Sequence, residues 1–211
     1  MKIIYFIMAI ITASMYVMLH TEYHTISVIC KAMTVLFFMA IPIEYSVSKD
    51  PKNKYLPLVI IALFLSCAGD VLLEIDGMFI IGMAAFLIAN SLYLSASIYD
   101  SPKSKNYWVM TGSFSAIMWI ILVIVLSAVN QLGIQYILYV TVLSAVFGSA
   151  LVSMILDFKP NKLLFMIAVS SFIISDILVI LGVSGINLPY AVALNAIFYF
   201  GAQFLYALST I

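Results

Sequence analysis

Long apolar stretches separated by short polar connections recur along the whole chain. They fall at 3–19, 25–45, 56–74, 77–99, 106–127, 132–156, 162–182 and 187–208. Each is close to the roughly 20 residues that a helix rising about 1.5 Å per residue needs to cross about 30 Å of hydrocarbon. Unpaired backbone groups are costly in lipid, and the alternating pattern of barrel strands is missing. The pattern predicts an all-α polytopic bundle of about eight transmembrane helices, forming a single transmembrane domain over residues 1–211.

The lysines give this bundle an orientation. The connections after the second, fourth and sixth stretches and the N-terminus hold eight of the nine lysines: Lys2, Lys49, Lys52, Lys54, Lys103, Lys105, Lys159 and Lys162. The other four connections hold none. Short basic loops stay in the cytoplasm, so both termini are expected there. We interpret the first stretch as a retained anchor, because no small-x-small cleavage site precedes His20.

Composition excludes a soluble domain. Hydrophobic residues make up 65% of the 211 residues and charged residues 9%, and the mean hydropathy is +1.21. A soluble domain of this length has roughly a quarter of its residues charged. The net charge is zero and no basic cluster stands out, so nucleic-acid binding is not expected. All nine basic residues are lysines, a composition that favours a bacterial inner-membrane protein.

Two short elements occur twice in the same order. Gly69-Asp70 in the third stretch corresponds to Ser175-Asp176 in the seventh, and each is followed by an [NQ]-x-Leu-Tyr element, at 90–93 and 203–206. The third and seventh stretches also cross in the same direction. The sequence therefore predicts two parallel four-helix repeats, related by an axis along the membrane normal. Such a relation would let Asp70 and Asp176 face one central cavity.

Ionisable residues inside the spans indicate where the function lies, because they are costly in hydrocarbon. Lys31, Asp70 and Asp176 all fall within roughly 6–11 Å of the outer ends of their helices. Glu74 follows Asp70 by one turn, nearly at the interface. A structural ion pair between Lys31 and Asp70 is the alternative interpretation. Two acids at corresponding positions with a lysine at the same depth favour a functional site.

Polar residues also form stripes on two helices. Asn195, Tyr199 and Gln203, with Tyr206, share a face of the eighth span, and Phe86, Asn90, Tyr93 and Ser97 share a face of the fourth. Hydrogen bonding between helices would explain either stripe alone. Beside two aspartates, we interpret them as supporting or substrate-binding residues around a polar cavity.

No metal or cofactor is expected. His20 and His24 are four residues apart, but they lie in a short connection without a nearby third ligand. Cys30 and Cys67 lie within spans and are interpreted as inert core residues. Phosphate loops, dinucleotide fingerprints and serine nucleophile elbows are missing from the sequence.

Several motifs together resemble the YhhN family, which includes the animal lysoplasmalogenases. They are Ser66-Cys-Ala-Gly-Asp70 followed by Phe79, Gly82, Phe86 and Tyr93, then Ser175-Asp176, and Tyr199-Phe-Gly-Ala-Gln203-Phe-Leu-Tyr206. Lys31 resembles the lysine of a Lys-Pro element, although Ala32 replaces the proline. Asn90 stands where the family tends to have His, and Asn cannot titrate near neutral pH.

The resemblance implies hydrolysis of the vinyl ether bond of lysoplasmalogens, which are lysophospholipids, to a fatty aldehyde and a glycerophospho-alcohol. The reaction needs a protonated carboxyl as general acid and a second group that stabilises an oxocarbenium ion or activates water. Asp70 and Asp176 would serve as this catalytic pair, one kept neutral by burial and one kept ionised by Lys31. Glycosidases divide acid and base roles between two carboxyls for a similar transition state.

Two other functions remain open at this point. An intramembrane aspartyl protease also uses two aspartates on two spans, but Cys67 and Ser175 depart from the motifs that it would need. A transporter or lipid-binding protein would agree with a parallel repeat and polar stripes. Its spans would be expected to contain Gly/Pro interruptions, which this chain lacks. The sequence predicts no oligomeric state.

Overall fold

The computed structural model describes residues 2–46, 54–186 and 188–211. Within them the chain forms eight α-helices and no strand, in agreement with the predicted all-α bundle. The helices are α1 Lys2–Leu19, α2 His24–Ser46, α3 Tyr55–Leu73, α4 Phe79–Tyr99, α5 Lys105–Ala128, α6 Ile134–Leu156, α7 Pro160–Val183 and α8 Ala191–Leu208. The predicted loop lysines Lys49 and Lys52 lie outside the described residues.

Seven of the described helices, α2 to α8, are long and apolar enough to cross a membrane. The apolar part of α1, Ile3–Leu19, is shorter. The prediction of a multi-pass membrane bundle is therefore confirmed. The first helix is at the short end of the length that a bilayer requires.

Several helices begin two to four residues away from their predicted starts. Backbone geometry, which hydropathy does not report, decides where a helix begins. Gly77 has a φ of +78°, so α4 begins only at Phe79 rather than at residue 77. Tyr190 has a φ of +59°, so α8 begins at Ala191, and the predicted start at Asn187 lies outside the described residues. Left-handed backbone cannot belong to a right-handed helix. Pro160 starts α7 earlier than predicted, since proline suits a first helical turn.

The packing of the helices agrees with two four-helix repeats. In the first half α1 packs on α2, α2 on α3 and α3 on α4, and in the second half α5 packs on α6, α6 on α7 and α7 on α8. The two halves meet where α2 packs on α8 and α4 packs on α6. Exchanging the halves replaces α2 by α6 and α8 by α4, so it converts one of these contacts into the other. The central helix α8 also contacts α1 and α3.

The repeated tyrosines meet in the core between the halves. The rings of Tyr93 and Tyr206 stack with their centroids 3.9 Å apart and their planes 10° from parallel. Phe165 packs against both rings, at 6.2 and 5.1 Å. The Tyr93 hydroxyl donates to Oε1 of Gln203 at 3.3 Å. The corresponding [NQ]-x-Leu-Tyr elements thus connect α4 with α8 through their side chains.

Ion pairs join three helices at the end of the bundle that holds the lysine-bearing connections. Lys162 is buried, with its amine 2.6 Å from Oδ2 of Asp157 and 3.9 Å from Oδ2 of Asp100. Hydrogen bonds from Lys159 and Lys162 lower the pKa of Asp157, in the α6–α7 connection, to about 2. Lys162, predicted in a loop, instead lies in the first turn of α7.

Gly148 allows α5 to lie directly against α6. A Cβ at this position would come within 2.7 Å of the carbonyl oxygen of Thr111 and 2.8 Å of the backbone nitrogen of Ser115. Both atoms belong to the backbone of α5, so neither can yield without moving the helix. Small residues serve this purpose in membrane bundles.

We expect Gly148→Ala to lower the stability of the detergent-purified protein by about 1–3 kcal/mol, because overpacking forces the backbones apart. Thermal unfolding measures the effect. Gly112→Ala is the matched control, since a Cβ at Gly112 of α5 meets no atom within 4 Å. Equal melting temperatures for the two variants would contradict this explanation of the α5–α6 contact.

Candidate active site

A cavity of about 90 Å³ lies at the end of the bundle opposite the lysine-bearing connections. Six helices contribute to it: the first two to three turns of α2, α4, α6 and α8, the last turn of α3 and the last three turns of α7. We call it the polar cavity because of its polar lining residues, which are Lys31, Asp70, Tyr136, Tyr139, Ser175, Asp176, Asn195 and Tyr199. The cavity therefore brings together the three ionisable residues that the sequence places at one depth.

Asp70 is buried and held from two sides. Its Oδ1 lies 3.1 Å from the amine of Lys31, and its Oδ2 accepts a hydrogen bond from the hydroxyl of Tyr199 at 2.5 Å. Both Asp70 and Lys31 are almost inaccessible, at 1% and 8% exposed. The Lys31 amine also lies 5.5 Å from the centre of the Tyr199 ring and 5.8 Å from that of Tyr16, within the range of cation–π attraction. Asp70 therefore has a cation as its main partner.

Asp176 has a different environment. Its Oδ2 accepts a hydrogen bond from the Tyr139 hydroxyl at 2.7 Å, and Tyr139 in turn accepts one from Nδ2 of Asn90 at 3.3 Å. The same amide group donates to the carbonyl oxygen of Phe86 at 3.0 Å, which fixes its direction. Among the described residues no cation lies within ion-pair distance of Asp176. The second aspartate thus has a neutral hydroxyl where the first has an ammonium group.

The two environments follow the repeat. In each half the third helix carries the aspartate, and the second helix supplies its main partner: Lys31 of α2 for Asp70, and Tyr139 of α6 for Asp176. The fourth helix of the opposite half adds a further residue, Tyr199 of α8 or Asn90 of α4. The architecture is the same in both halves, while the charge of the partner differs.

Glu74 extends this network to the end of the bundle. Its Oε1 lies 3.8 Å from the Lys31 amine, and its Oε2 lies 3.0 Å from Nε2 of His24, which is exposed. His24 therefore contacts a carboxylate, while His20 packs against the ring of Tyr16 at 5.4 Å. Across the described residues no group of three or more His, Cys, Asp or Glu side chains could hold a metal ion.

Four of the predicted supporting residues divide into two groups. Asn195 and Tyr199 line the polar cavity, and the Asn195 amide donates to the carbonyl and the hydroxyl oxygens of Ser175, both at 3.1 Å. Tyr93 and Gln203 bond to each other in the core and do not line that cavity. For these two, the interpretation as packing residues between helices explains the structure better than a direct contact with substrate.

The sequence did not reveal two tyrosines of the site, Tyr136 and Tyr139, of which Tyr139 matters more because it donates to Asp176. Aromatic residues are common at the ends of membrane helices, so a tyrosine near the start of a span carries no particular signal. The predicted repeat does contain a signal for this position. It relates α6 to α2, and hence a residue early in α6 to Lys31. Ser175, which precedes Asp176, stands out in the sequence as part of the repeated element and of the family motif, but not as a residue of the site.

Comparison with protein-family models matches the YhhN family over residues 26–210. The matched region includes both aspartates, Lys31, Tyr139 and Tyr199, and thus the whole polar cavity. Comparison with curated proteins and with solved structures yields no match. The order and spacing of the motifs, the helical membrane bundle and the family match agree: the chain belongs to the YhhN family, which is associated with lysoplasmalogenase activity.

Proposed function

We propose that this protein hydrolyses the vinyl ether bond of lysoplasmalogens, releasing a fatty aldehyde and a glycerophospho-alcohol. The observation that carries the proposal is the unequal pair of carboxyl groups in one membrane cavity, Asp70 beside a lysine and Asp176 beside a neutral hydroxyl. Membership of the YhhN family supports the substrate class. The two aspartates act as the catalytic pair.

The first step is proton transfer to carbon. In a vinyl ether, the basic carbon is the double-bond carbon that is not bonded to the oxygen. Its protonation gives an oxocarbenium ion. Asp176 is the proton donor, because a carboxyl with a hydroxyl partner and no cation can carry a proton. Tyr139 donates to Oδ2 of Asp176, which leaves Oδ1 to hold the proton and deliver it.

Asp70 stabilises the cation that results. Its negative charge, held by Lys31, lies in the same membrane cavity, where fixed charges act strongly on a developing positive charge. Water then attacks the oxocarbenium carbon and gives its proton to Asp70, forming a hemiacetal. When the hemiacetal collapses, Asp70 returns that proton to the departing glycerol oxygen and the hemiacetal hydroxyl gives its proton to Asp176. Both carboxyl groups are thereby restored.

Asn90 and Tyr199 have positioning roles in this mechanism. Asn90 cannot exchange a proton near neutral pH, but its amide fixes the hydroxyl of Tyr139 and, through it, Asp176. Tyr199 does the same for Asp70 by a direct hydrogen bond. A histidine at position 90 is therefore not required for the orientation of Asp176.

The expected effect of Asp176→Asn is a loss of about 10²- to 10⁴-fold in kcat, the usual contribution of a general acid. Aldehyde release from lysoplasmalogen by purified protein, followed by mass spectrometry, measures it. Asp76→Asn, at an exposed acidic residue between α3 and α4, is the matched control and retains the activity of the unmodified protein. Full activity of Asp176→Asn would remove this residue from the mechanism.

Substitutions of Asp70 separate catalysis from packing. Asp70→Asn leaves Lys31 charged and buried with only the more distant Glu74 as an anionic partner, and we expect it to lower the stability by up to about 3–5 kcal/mol in addition to abolishing activity. The double variant Lys31→Met with Asp70→Asn removes the stranded charge, so its stability recovers while its activity stays absent. Unfolding in detergent and aldehyde release are measured on the same preparations. A stable double variant with full activity would show that the ion pair serves only the packing.

We also propose that the lysine-bearing connections and both termini lie in the cytoplasm of a bacterium, with the polar cavity in the outer half of its inner membrane. In a variant with Cys30 and Cys67 replaced by Ala, Asp76→Cys should react with a membrane-impermeant maleimide in spheroplasts. Phe158→Cys, which is exposed between α6 and α7, should react only after permeabilisation. The reverse result would contradict this orientation.

A further inference from the structure

A second cavity lies beside the polar cavity, between α5, α6 and α7. Its volume is about 50 Å³. Away from the wall that it shares with the polar cavity, its lining side chains are all aliphatic: Leu122, Val125, Leu126, Val140, Leu143, Ile173 and Ile177. We call it the apolar chamber.

The two cavities share one wall. Tyr136, Tyr139, Asp176 and Ile180 line both of them. Asp70, Lys31 and Asn195 line the polar cavity alone. Asp176 and its hydrogen-bond donor Tyr139 therefore lie on the boundary between a polar and an apolar compartment.

We propose that the apolar chamber binds the start of the substrate's hydrocarbon chain, with the glycerophosphate part in the polar cavity. This inference rests on the proposed function and assigns the orientation of the lipid within the site. In a lysoplasmalogen the reactive double bond joins the ether oxygen to the chain, so it lies where the polar and apolar parts of the molecule meet. A lipid that fills both cavities has this bond beside Asp176, the proton donor.

The position of α5 fits a chain that continues outward. This helix packs on α6 and is the least buried of the helices long enough to span the membrane. Leu122 and Leu126 are its two buried aliphatic residues, and both face the chamber. A chamber of this volume holds only the first few methylene groups, so the remainder of the chain extends between α5 and α7 towards the bilayer.

An apolar groove between α4 and α6 is the competing location. It has a volume of about 100 Å³ and shares Met83 and Tyr139 with the polar cavity. Its lining does not include Asp176. A chain bound there would direct the double bond away from the proton donor, so the groove serves as the control site.

Photo-crosslinking tests the chain position independently of hydrolysis. The probe is a 1-O-alkyl lysophospholipid with a diazirine in the first part of its chain, which lacks the vinyl double bond. We expect label on α5 between residues 122 and 126 and on α7 between residues 173 and 180. An excess of unlabelled alkyl lysophospholipid should prevent this labelling.

Two matched variants place the binding. Val125→Phe fills the apolar chamber and should reduce the competed label at least tenfold, whereas Ala84→Phe fills the α4–α6 groove and should leave it unchanged. Competed label on residues 80–87 or 135–138, lost in Ala84→Phe, would overturn the proposal. Label that is spread over lipid-facing helices and is not reduced by the unlabelled lipid would also overturn the proposal.

An activity measurement distinguishes this inference from the proposed function. With vinyl ether substrates, Val125→Phe should raise KM several-fold for a substrate with a long chain relative to one whose chain ends at the vinyl group, and Ala84→Phe should not. If the unmodified protein hydrolyses no lysolipid while the competed label appears on α5 and α7, the proposed function fails and the chain site stands. If it hydrolyses lysoplasmalogen while Val125→Phe changes neither label nor chain-length dependence, the chain site fails.

Discussion

The buried contact between Lys31 and Asp70 is the constraint on which the site depends. A charged group inside hydrocarbon is stable only beside an opposite charge or strong hydrogen-bond partners. Here the ammonium group, the carboxylate and the Tyr199 hydroxyl come from α2, α3 and α8. These helices can satisfy their polar residues only when they meet at one depth and in one rotation. The ion pair therefore fixes the wall of the polar cavity and holds a negative charge within it.

The repeat turns this constraint into a chemical asymmetry. The corresponding position in the second half places Asp176 beside Tyr139, so the same architecture presents a carboxyl group with a neutral partner. The hydrolysis that we propose would use both kinds of carboxyl group in one place, one as acid and one to stabilise a cation. A duplicated bundle in which one lysine has no counterpart supplies them. The apolar chamber lies next to the carboxyl group that has no cation, where a hydrocarbon chain would join the polar part of a lipid.

Hydropathy predicted most of the fold, because the cost of unpaired backbone in lipid leaves helices as the solution. Helix starts were less predictable. The left-handed backbone at Tyr190 depends on the local turn rather than on hydropathy. The first helix also shows that hydropathy marks an apolar segment without fixing its length, since its apolar part, Ile3–Leu19, is at the short end of what a crossing requires.

The site was predictable where charge was involved. Lys31, Asp70 and Asp176 stand out in a chain with so few charges, and the structure brings them to one cavity. Tyr139 could not be recognised, since tyrosines in membrane helices are frequent and only the packing of α6 on α7 brings this one to Asp176. For the same reason Tyr93 and Gln203 looked like cavity residues, although they bond to each other in the core. A helical stripe gives the direction of a side chain but not the neighbour that it meets.

Hydrolysis of a lysoplasmalogen in heavy water tests the central claim most directly, because it follows the proton that the site is proposed to deliver. The released aldehyde is reduced at once to the alcohol, whose mass is measured by mass spectrometry. The account predicts one deuterium on the carbon next to the former carbonyl, and no product from the saturated alkyl ether. An aldehyde without deuterium, or equal cleavage of the saturated ether, would contradict protonation of the double bond.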